Sequence, residues 1–267
     1  MPNTTLTATY YKSLFYLSGV DNTWASLRAQ ATASAAQATE GRAFIYARPT
    51  IDKYDSLWRM PRIFTTALPA YASITAATFK LYVDDKFSEW PAGRGDLCVV
   101  AFTPSSYSEI VTSDFNVTRW GSTVLGYTAH SSITSDQYND ITLNASGIAA
   151  IPLATAFGLG VMLRGDVENN PYHPGSLTVY GVECQQSTYI SQLYIEYTYL
   201  DAAAFRYRKF GATCKVCTTA TDPGGSRMMI RKSGATYYMP LVATDHVDAS
   251  SFRVRIGGET KAGILVL

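Results

Sequence analysis

The sequence predicts an all-β protein built around an antiparallel β-sandwich, on three observations. Short apolar or aromatic segments recur between long polar connections, and segments with helical amphipathicity are almost lacking. The third observation is the alternation in residues 76–83. Its apolar side chains fall on one face (Ala77, Phe79, Leu81, Val83) and the others on the opposite face (Thr78, Lys80, Tyr82). A period of two marks a half-buried antiparallel strand.

The first half of the chain contains several such segments, enriched in aromatic and β-branched residues and bounded by turn residues. They predict strands at residues 10–17, 43–47, 62–65, 76–83 and 97–103, with a proline-containing corner at 67–69. Residues 29–39 are rich in alanine, which favours a helix. They lack large apolar side chains at helical spacing, so a strand and loop are predicted there instead.

Residues 104–139 carry many Ser and Thr residues and turn signals, and they are predicted to be rich in loops. Strands are predicted beyond them at 140–144, 157–164, 176–180 and 191–199. Asn144 is predicted to cap a helical turn over 145–151 that ends before Pro152. Gly158 and Gly160 lie inside a predicted strand, so they indicate close packing rather than phosphate binding.

The character of the chain changes near residue 201, which predicts a sandwich at 1–200, a connection at 201–226 and a repeat at 227–267. Residues 230–242 align with 254–266 at an offset of 24 residues. Each unit reads as strand, glycine turn and strand, which predicts a β-hairpin. One isolated hairpin is marginal in water, so the two must pack together, on the sandwich or on another subunit. The predicted assembly residues are Arg231, Tyr237, Tyr238, Arg255 and Leu265.

Composition excludes several classes of function. Charged residues make up 16% of the chain and the net charge is +1, which gives no electrostatic footprint for nucleic acid. No apolar run reaches the roughly 18 residues that span a membrane. The N-terminus lacks the features of a signal peptide, so the chain is either made and used without export or has lost a leader; the retained Met1 favours the first.

Residues that carry chemistry in other proteins form no catalytic constellation here. His130, His173 and His246 lie far apart in polar loops and are predicted to be solvated, without a metal-binding pair. Cys98 and Cys184 are predicted to be buried thiols. Cys214 and Cys217 form a lone C-x-x-C, for which a local disulfide or two free thiols is preferred over zinc or redox catalysis.

The carboxylate side chains form no catalytic pair either. The adjacent Asp84 and Asp85 point apart at a strand end, which disfavours glycosidase chemistry and leaves a structural Ca²⁺ as an alternative. Two Arg-Gly-Asp tripeptides, 94–96 and 164–166, are explained by chance and turn chemistry. The protein is therefore predicted not to be an enzyme.

Aromatic and imidazole side chains beside turn residues are the remaining candidates for recognition. Exposed rings stack on sugars or anchor protein interfaces. The candidate ligand- or partner-binding residues are Trp90, Trp120, Tyr172 and His173. For the two tryptophans the alternative is that each ring folds back over an end of the sandwich.

The segment around the alternating strand resembles the core of DNRLRE-type jelly-roll modules. The resemblance rests on the pattern Arg59-x-x-x-Ile63-Phe64-Thr65-Thr66-x-Leu68-Pro69, followed by Ile74, Ala77, Leu81, Tyr82 and Val83. Residues 138–147 are similar to the family's D-I-T-L-N-x-T-G segment, and 192–197 to its final strand. The likeness covers roughly residues 8–199. Thr65 stands where the family often has Asp, so any turn or ion site of that aspartate is not implied here.

The resemblance implies a jelly-roll sandwich, and it implies one of two classes of protein. Modules of this kind occur in virion proteins of tailed phages and in carbohydrate-binding modules of secreted proteins. The long Thr/Ser loops and the C-terminal repeat are more similar to the phage set. A structural protein of a phage particle is therefore expected, located on the virion surface and contacting other virion proteins, copies of itself or host-surface glycans. A carbohydrate-binding module is the alternative.

Overall fold

The computed structural model describes residues 2–50, 53–69, 72–90, 93–170 and 178–199, together with six strands beyond residue 199. The chain separates into two compact units, Met1–Thr198 and Tyr199–Leu267. Each unit is described by itself.

Antiparallel strands dominate the first unit, as the sequence predicts. Those of the first half are β1 (Asn3–Thr7), β2 (Tyr10–Tyr11), β3 (Ser13–Asn22), β4 (Ala35–Gln37), β5 (Glu40–Ala47), β6 (Tyr54–Thr65), β7 (Ala72–Val83), β8 (Asp85–Lys86) and β9 (Leu97–Phe102). Those that follow are β10 (Trp120–Thr128), β11 (Gln137–Thr142), β12 (Ala156–Leu163), β13 (Thr178–Gln185) and β14 (Gln192–Tyr199).

Three short helices connect these strands: α1 (Trp24–Arg28), α2 (Ala145–Ala149) and α3 (Arg164–Val167). The predicted cap of α2 is confirmed, because the Asn144 side chain accepts a hydrogen bond from the Gly147 amide at 2.9 Å. Thr23 caps α1 in the same way through the amide of Ser26. Among the described residues, no helix is long and apolar enough to cross a membrane.

The strands form two sheets that lie face to face. The smaller sheet has the order β1-β14-β7-β11, and the larger has β10-β9-β12-β6-β5-β13-β8 with β2, β3 and β4 joined to it. The rings of Phe64 on β6 and Phe79 on β7 meet edge to face at 6.1 Å, which joins the inner faces of the two sheets. One continuous hydrophobic core contains residues from both sheets.

The predicted alternation of β7 is confirmed. Its inward residues Ala77, Phe79, Leu81 and Val83 are each at most 2% exposed, and Thr78, Lys80 and Tyr82 face outward and are partly exposed. The strand begins at Ala72, four residues before the predicted start, and ends as predicted at Val83, which pairs with Gln137 of β11.

Two elements of local structure were not predicted. Residues 104–139 are rich in loops as expected, but they also contain the nine-residue strand β10. Its pairing with β9 shifts register twice, between Trp120 and Val124 and between Val124 and Gly126. These irregularities remove the period of two by which a strand is recognised. Helix α1 was also missed, because its five residues are too few for helical periodicity.

A buried ion pair joins β6 to the helix that follows β12. Arg59 and Asp166 are 0% and 1% exposed, and the guanidinium donates to both carboxylate oxygens, at 2.7 and 2.9 Å. The remaining guanidinium nitrogen of Arg59, Nη1, donates to the Phe115 carbonyl at 2.6 Å. The side chain of Arg28 donates a further hydrogen bond to Asp166 at 3.1 Å. Such bidentate pairs are strong because both charges are fully hydrogen-bonded.

In the second unit, the six described strands form three antiparallel pairs. They are β15 (Arg206–Lys209) with β16 (Ala212–Lys215), β17 (Arg227–Lys232) with β18 (Ala235–Pro240), and β19 (Ser251–Ile256) with β20 (Glu259–Ile264). The last two pairs begin 24 residues apart, at Arg227 and Ser251, which is the offset of the sequence repeat.

We expect Asp166→Asn to lower the free energy of unfolding of the protein by about 3–5 kcal/mol, because it leaves the Arg59 charge buried without its counter-ion. Urea denaturation measures the change. Asp140→Asn is the matched control: it removes the exposed pair with Lys80 and should cost about 0–1 kcal/mol. Equal losses in the two variants would contradict a structural role for the buried pair.

Candidate binding surface

The two tryptophans considered for recognition are buried, which matches the alternative that each ring folds back onto the sandwich and does not match exposed binding residues. Trp90 is 0% exposed, and its ring packs against Gly165 and the rings of Tyr180 and Trp24. Trp120 is 6% exposed. A Cβ at Gly160 would lie only 2.2 Å from the Trp120 ring, so this glycine makes room for the indole, as its predicted packing role requires.

The other predicted residues are placed only in part. Tyr172, His173 and Leu265 lie outside the described residues. The remaining assembly candidates are paired strand residues: Arg231 lies opposite Thr236, Ile230 opposite Tyr237, Met229 opposite Tyr238, and Arg255 opposite Thr260. Arg231 and Arg255 thus occupy equivalent positions in the two strand pairs. Their role in assembly stays a prediction.

The two Arg-Gly-Asp tripeptides bind each other inside the first unit. The Arg164 amide donates to the Asp96 carbonyl at 2.9 Å, and the Gly165 amide donates to the Arg94 carbonyl at 3.0 Å. The Arg164 side chain forms an ion pair with Asp96 at 3.1 Å. Asp96 and Asp166 are only 8% and 1% exposed. Both carboxylates therefore serve the fold and are not presented for adhesion.

His130 is buried, so the prediction that it is a solvated loop residue is wrong. It is 2% exposed, its amide donates to Asp96 at 3.2 Å, and its Nε2 lies 3.4 Å from the Gly181 carbonyl. Gly181 has a φ of +122°, which glycine adopts without strain. Burial lowers the pKa of His130; Lys86 lowers it further, while the contacts with Gly181, Glu89 and Asp96 oppose the shift.

The cysteines of the first unit match their prediction as buried thiols. Cys98 and Cys184 are both 0–1% exposed and free. Burial raises the pKa of each thiol to about 12. Cys184 lies beside the buried Arg62, whose pKa burial lowers to about 10. These thiols remain protonated at neutral pH and are therefore poor nucleophiles and poor metal ligands.

Neither aspartate considered for Ca²⁺ is part of a larger ligand group. The Asp84 amide donates to the Glu183 carbonyl, and Asp85 accepts a hydrogen bond from the Lys86 amide at 2.7 Å. Within the part of the chain that the structure describes, no three His, Cys, Asp or Glu side chains come together as a metal site.

One group of solvent-accessible aromatic side chains lies on the outer face of the smaller sheet, where exposed Tyr189 meets the partly exposed Tyr82 and Tyr138. We call Tyr82, Tyr138 and Tyr189 the tyrosine surface. The rings of Tyr82 and Tyr189 stack at 3.8 Å with an angle of 11°. Tyr138 lies opposite Tyr82 on the neighbouring strand and meets it edge to face at 5.5 Å. Tyr189 comes from the turn between β13 and β14 and is 38% exposed.

Hydrogen bonds hold the hydroxyls of Tyr138 in this surface and of Tyr194 on β14. The Tyr138 hydroxyl donates to the Ile190 carbonyl at 3.1 Å, and the Tyr194 hydroxyl donates to Glu196 at 3.2 Å. Removal from solvent raises the pKa of Tyr82, and Tyr189 and Asp136 raise it further. The pKa of Tyr138 is raised by the same burial and by Tyr189. The phenols of Tyr82 and Tyr138 therefore stay neutral at physiological pH.

The sequence contains part of the signal for this surface. Tyr82 falls on the outward face of the alternating strand, where an aromatic residue is exposed, and Tyr138 precedes a predicted strand. Nothing local indicates Tyr189, because its position depends on how the turn after β13 returns to the smaller sheet.

Comparison with known proteins gives no assignment. No protein-family model matches the chain, and no curated protein matches it.

The buried His130 should make the protein less stable in mild acid. The unfolded chain takes up a proton near a pKa of about 6.5, whereas the lowered pKa in the folded state resists it. The contribution of His130 to stability is therefore complete above pH 6.5 and is lost as the pH falls through that value toward the lower folded pKa. Urea denaturation between pH 7.5 and 5 measures this loss.

His130→Gln cannot take up that proton, so its unfolding free energy should fall less between pH 7.5 and 5 than that of the unaltered chain. The comparison cancels the carboxylates, which titrate in both proteins. Parallel stability curves for the two proteins would show that another group causes the acid sensitivity.

Proposed function

We propose that this protein is a non-enzymatic structural component of a bacteriophage virion, a head-decoration, fibre or tail-surface protein. A jelly-roll sandwich in the first unit is exposed on the particle, and the C-terminal strand pairs, as a two-hairpin repeat, attach it to other virion proteins or to copies of itself. The observation that carries the proposal is the repetition of paired strands, β17 with β18 and β19 with β20, at the 24-residue offset of the sequence repeat.

Two features support this assignment. Two-stranded sheets are marginal alone in water, so repeated pairs gain stability from a partner surface. The first unit has the opposite character, because its core is continuous and the buried charges of Arg59 and Asp166 are paired with each other. A stable sandwich joined to a segment that needs a partner suits a component that is attached through one end.

Removing the C-terminal segment tests attachment. We expect size-exclusion chromatography with light scattering to find oligomers for the full chain and monomers for a chain ending at Asp201, because the truncation removes the proposed docking strands. Monomers in both cases, together with failure of an antibody against the chain to label phage particles in electron micrographs, would reject the proposal. Circular dichroism of the truncated chain provides the folding control.

A carbohydrate-binding module is the second candidate, and the tyrosine surface is the observation that favours it. Fixed, partly exposed rings present apolar faces beside polar groups, the combination on which sugar rings stack. The two candidates are compatible, since a virion surface domain is a suitable carrier for glycan recognition.

The second candidate predicts that the full chain binds at least one immobilised glycan and that the chain ending at Asp201 binds the same glycan. The binding residues all lie before Asp201, so truncation should leave monovalent affinity unchanged. A glycan array followed by titration calorimetry measures both. Loss of monovalent binding on truncation would assign recognition to the second unit.

A further inference from the structure

We infer that the outer face of the smaller sheet, centred on Tyr189, binds an uncharged polysaccharide chain through ring stacking. The inference rests on the second candidate function and adds to it the position of the site and the class of glycan.

The rings define the centre of the site. Tyr189 lies flat on Tyr82 at 3.8 Å, so one face of its ring is covered by protein, and the 38% of the residue that stays exposed includes surface available to a ligand. The carbon-hydrogen face of a pyranose ring is apolar and flat enough to cover such a ring. Because Tyr189 is already held by Tyr82, little conformational entropy is lost when a sugar stacks on it.

The surrounding charges select the class of glycan. Four carboxylates interact with Tyr82, Tyr194 or Lys80: Asp84, Asp136, Asp140 and Glu196. The amine of Lys80 is paired with Asp140 at 2.9 Å. An acidic chain of uronic or sulfated sugars would meet net repulsion here. The hydroxyls of an uncharged sugar can donate to the carboxylates in charge-assisted hydrogen bonds.

The same face is poorly suited to a protein partner. Protein interfaces bury an apolar centre that is depleted in charged residues. Here the outward positions beside the tyrosines on β7 and β11 carry Thr78, Thr142, Lys80 and Asp140. A sugar chain, which is polar at every edge, matches this composition better than an apolar protein patch does.

Affinity electrophoresis of the full chain through gels containing single polysaccharides tests the inference. Uncharged glucan, mannan and xylan are compared with acidic alginate, polygalacturonate and a sulfated glycan, at about 0.15 M salt so that only charges within roughly 8 Å of the bound polymer contribute. We expect retardation by at least one uncharged polymer and by none of the acidic ones. Retardation by acidic polymers alone would overturn the inference and leave carbohydrate binding in place.

Three variants locate the site. Tyr189→Ala should weaken binding to the retained polymer at least tenfold, and Tyr189→Phe, which keeps the ring, should bind within a factor of about three of the unaltered chain. Tyr107→Ala is the matched control, since Tyr107 is also exposed, at 45%, and lies outside the tyrosine surface. Unchanged binding by Tyr189→Ala would place the glycan elsewhere and overturn the inference alone.

Binding of no polysaccharide would overturn both the inference and the second candidate. The proposed attachment to a virion is tested separately, by comparing the oligomeric state of the full chain with that of the chain ending at Asp201. Unchanged thermal unfolding of each variant shows that any loss of binding arises at the surface rather than from unfolding.

Discussion

The ion pair between Arg59 and Asp166 is the interaction on which the rest of the first unit depends. It connects the central strand β6 to helix α3, and the same guanidinium holds the Phe115 carbonyl, in the long connection between β9 and β10. Two charges removed from water are tolerated only when both are satisfied. Burial of this pair therefore requires that β6, α3 and the connection reach their positions together, which couples distant parts of the chain into one cooperative structure.

The two Arg-Gly-Asp tripeptides extend this coupling to the tryptophans. The second tripeptide supplies Asp166 to the ion pair and Gly165 to the face of the Trp90 ring. The first tripeptide receives the two backbone hydrogen bonds that align α3 beside it. A motif that in other proteins is exposed for recognition is here internal support. The surface proposed for recognition is instead the outer face of the smaller sheet, where Tyr189 is exposed outside the core.

The sequence was informative where structure depends on near neighbours. The alternation of β7 and the Asn144 cap involve residues within a few positions of one another, and both were predicted. Strand β10 was not predicted, because two register shifts between Trp120 and Gly126 interrupt its alternation. The burial of Trp90 and Trp120 was one of two alternatives, since whether each ring folds inward depends on a glycine distant in sequence, Gly165 in α3 and Gly160 in β12. Only part of the tyrosine surface could be predicted. The alternation of β7 places Tyr82 on the outward face, but its stacking partner Tyr189 lies 107 residues further along the chain.

Cys98 and Cys184 give the first unit two internal reporters of its own opening. Both thiols are buried, and their raised pKa values suppress the reactive thiolate. An alkylating reagent can modify them readily only when the surrounding strands separate, so the rate of modification follows local unfolding. Cys98 lies on β9 and Cys184 on β13, with β12, β6 and β5 between them in the larger sheet. Comparing the two rates would therefore show whether that sheet opens from one side or as a whole.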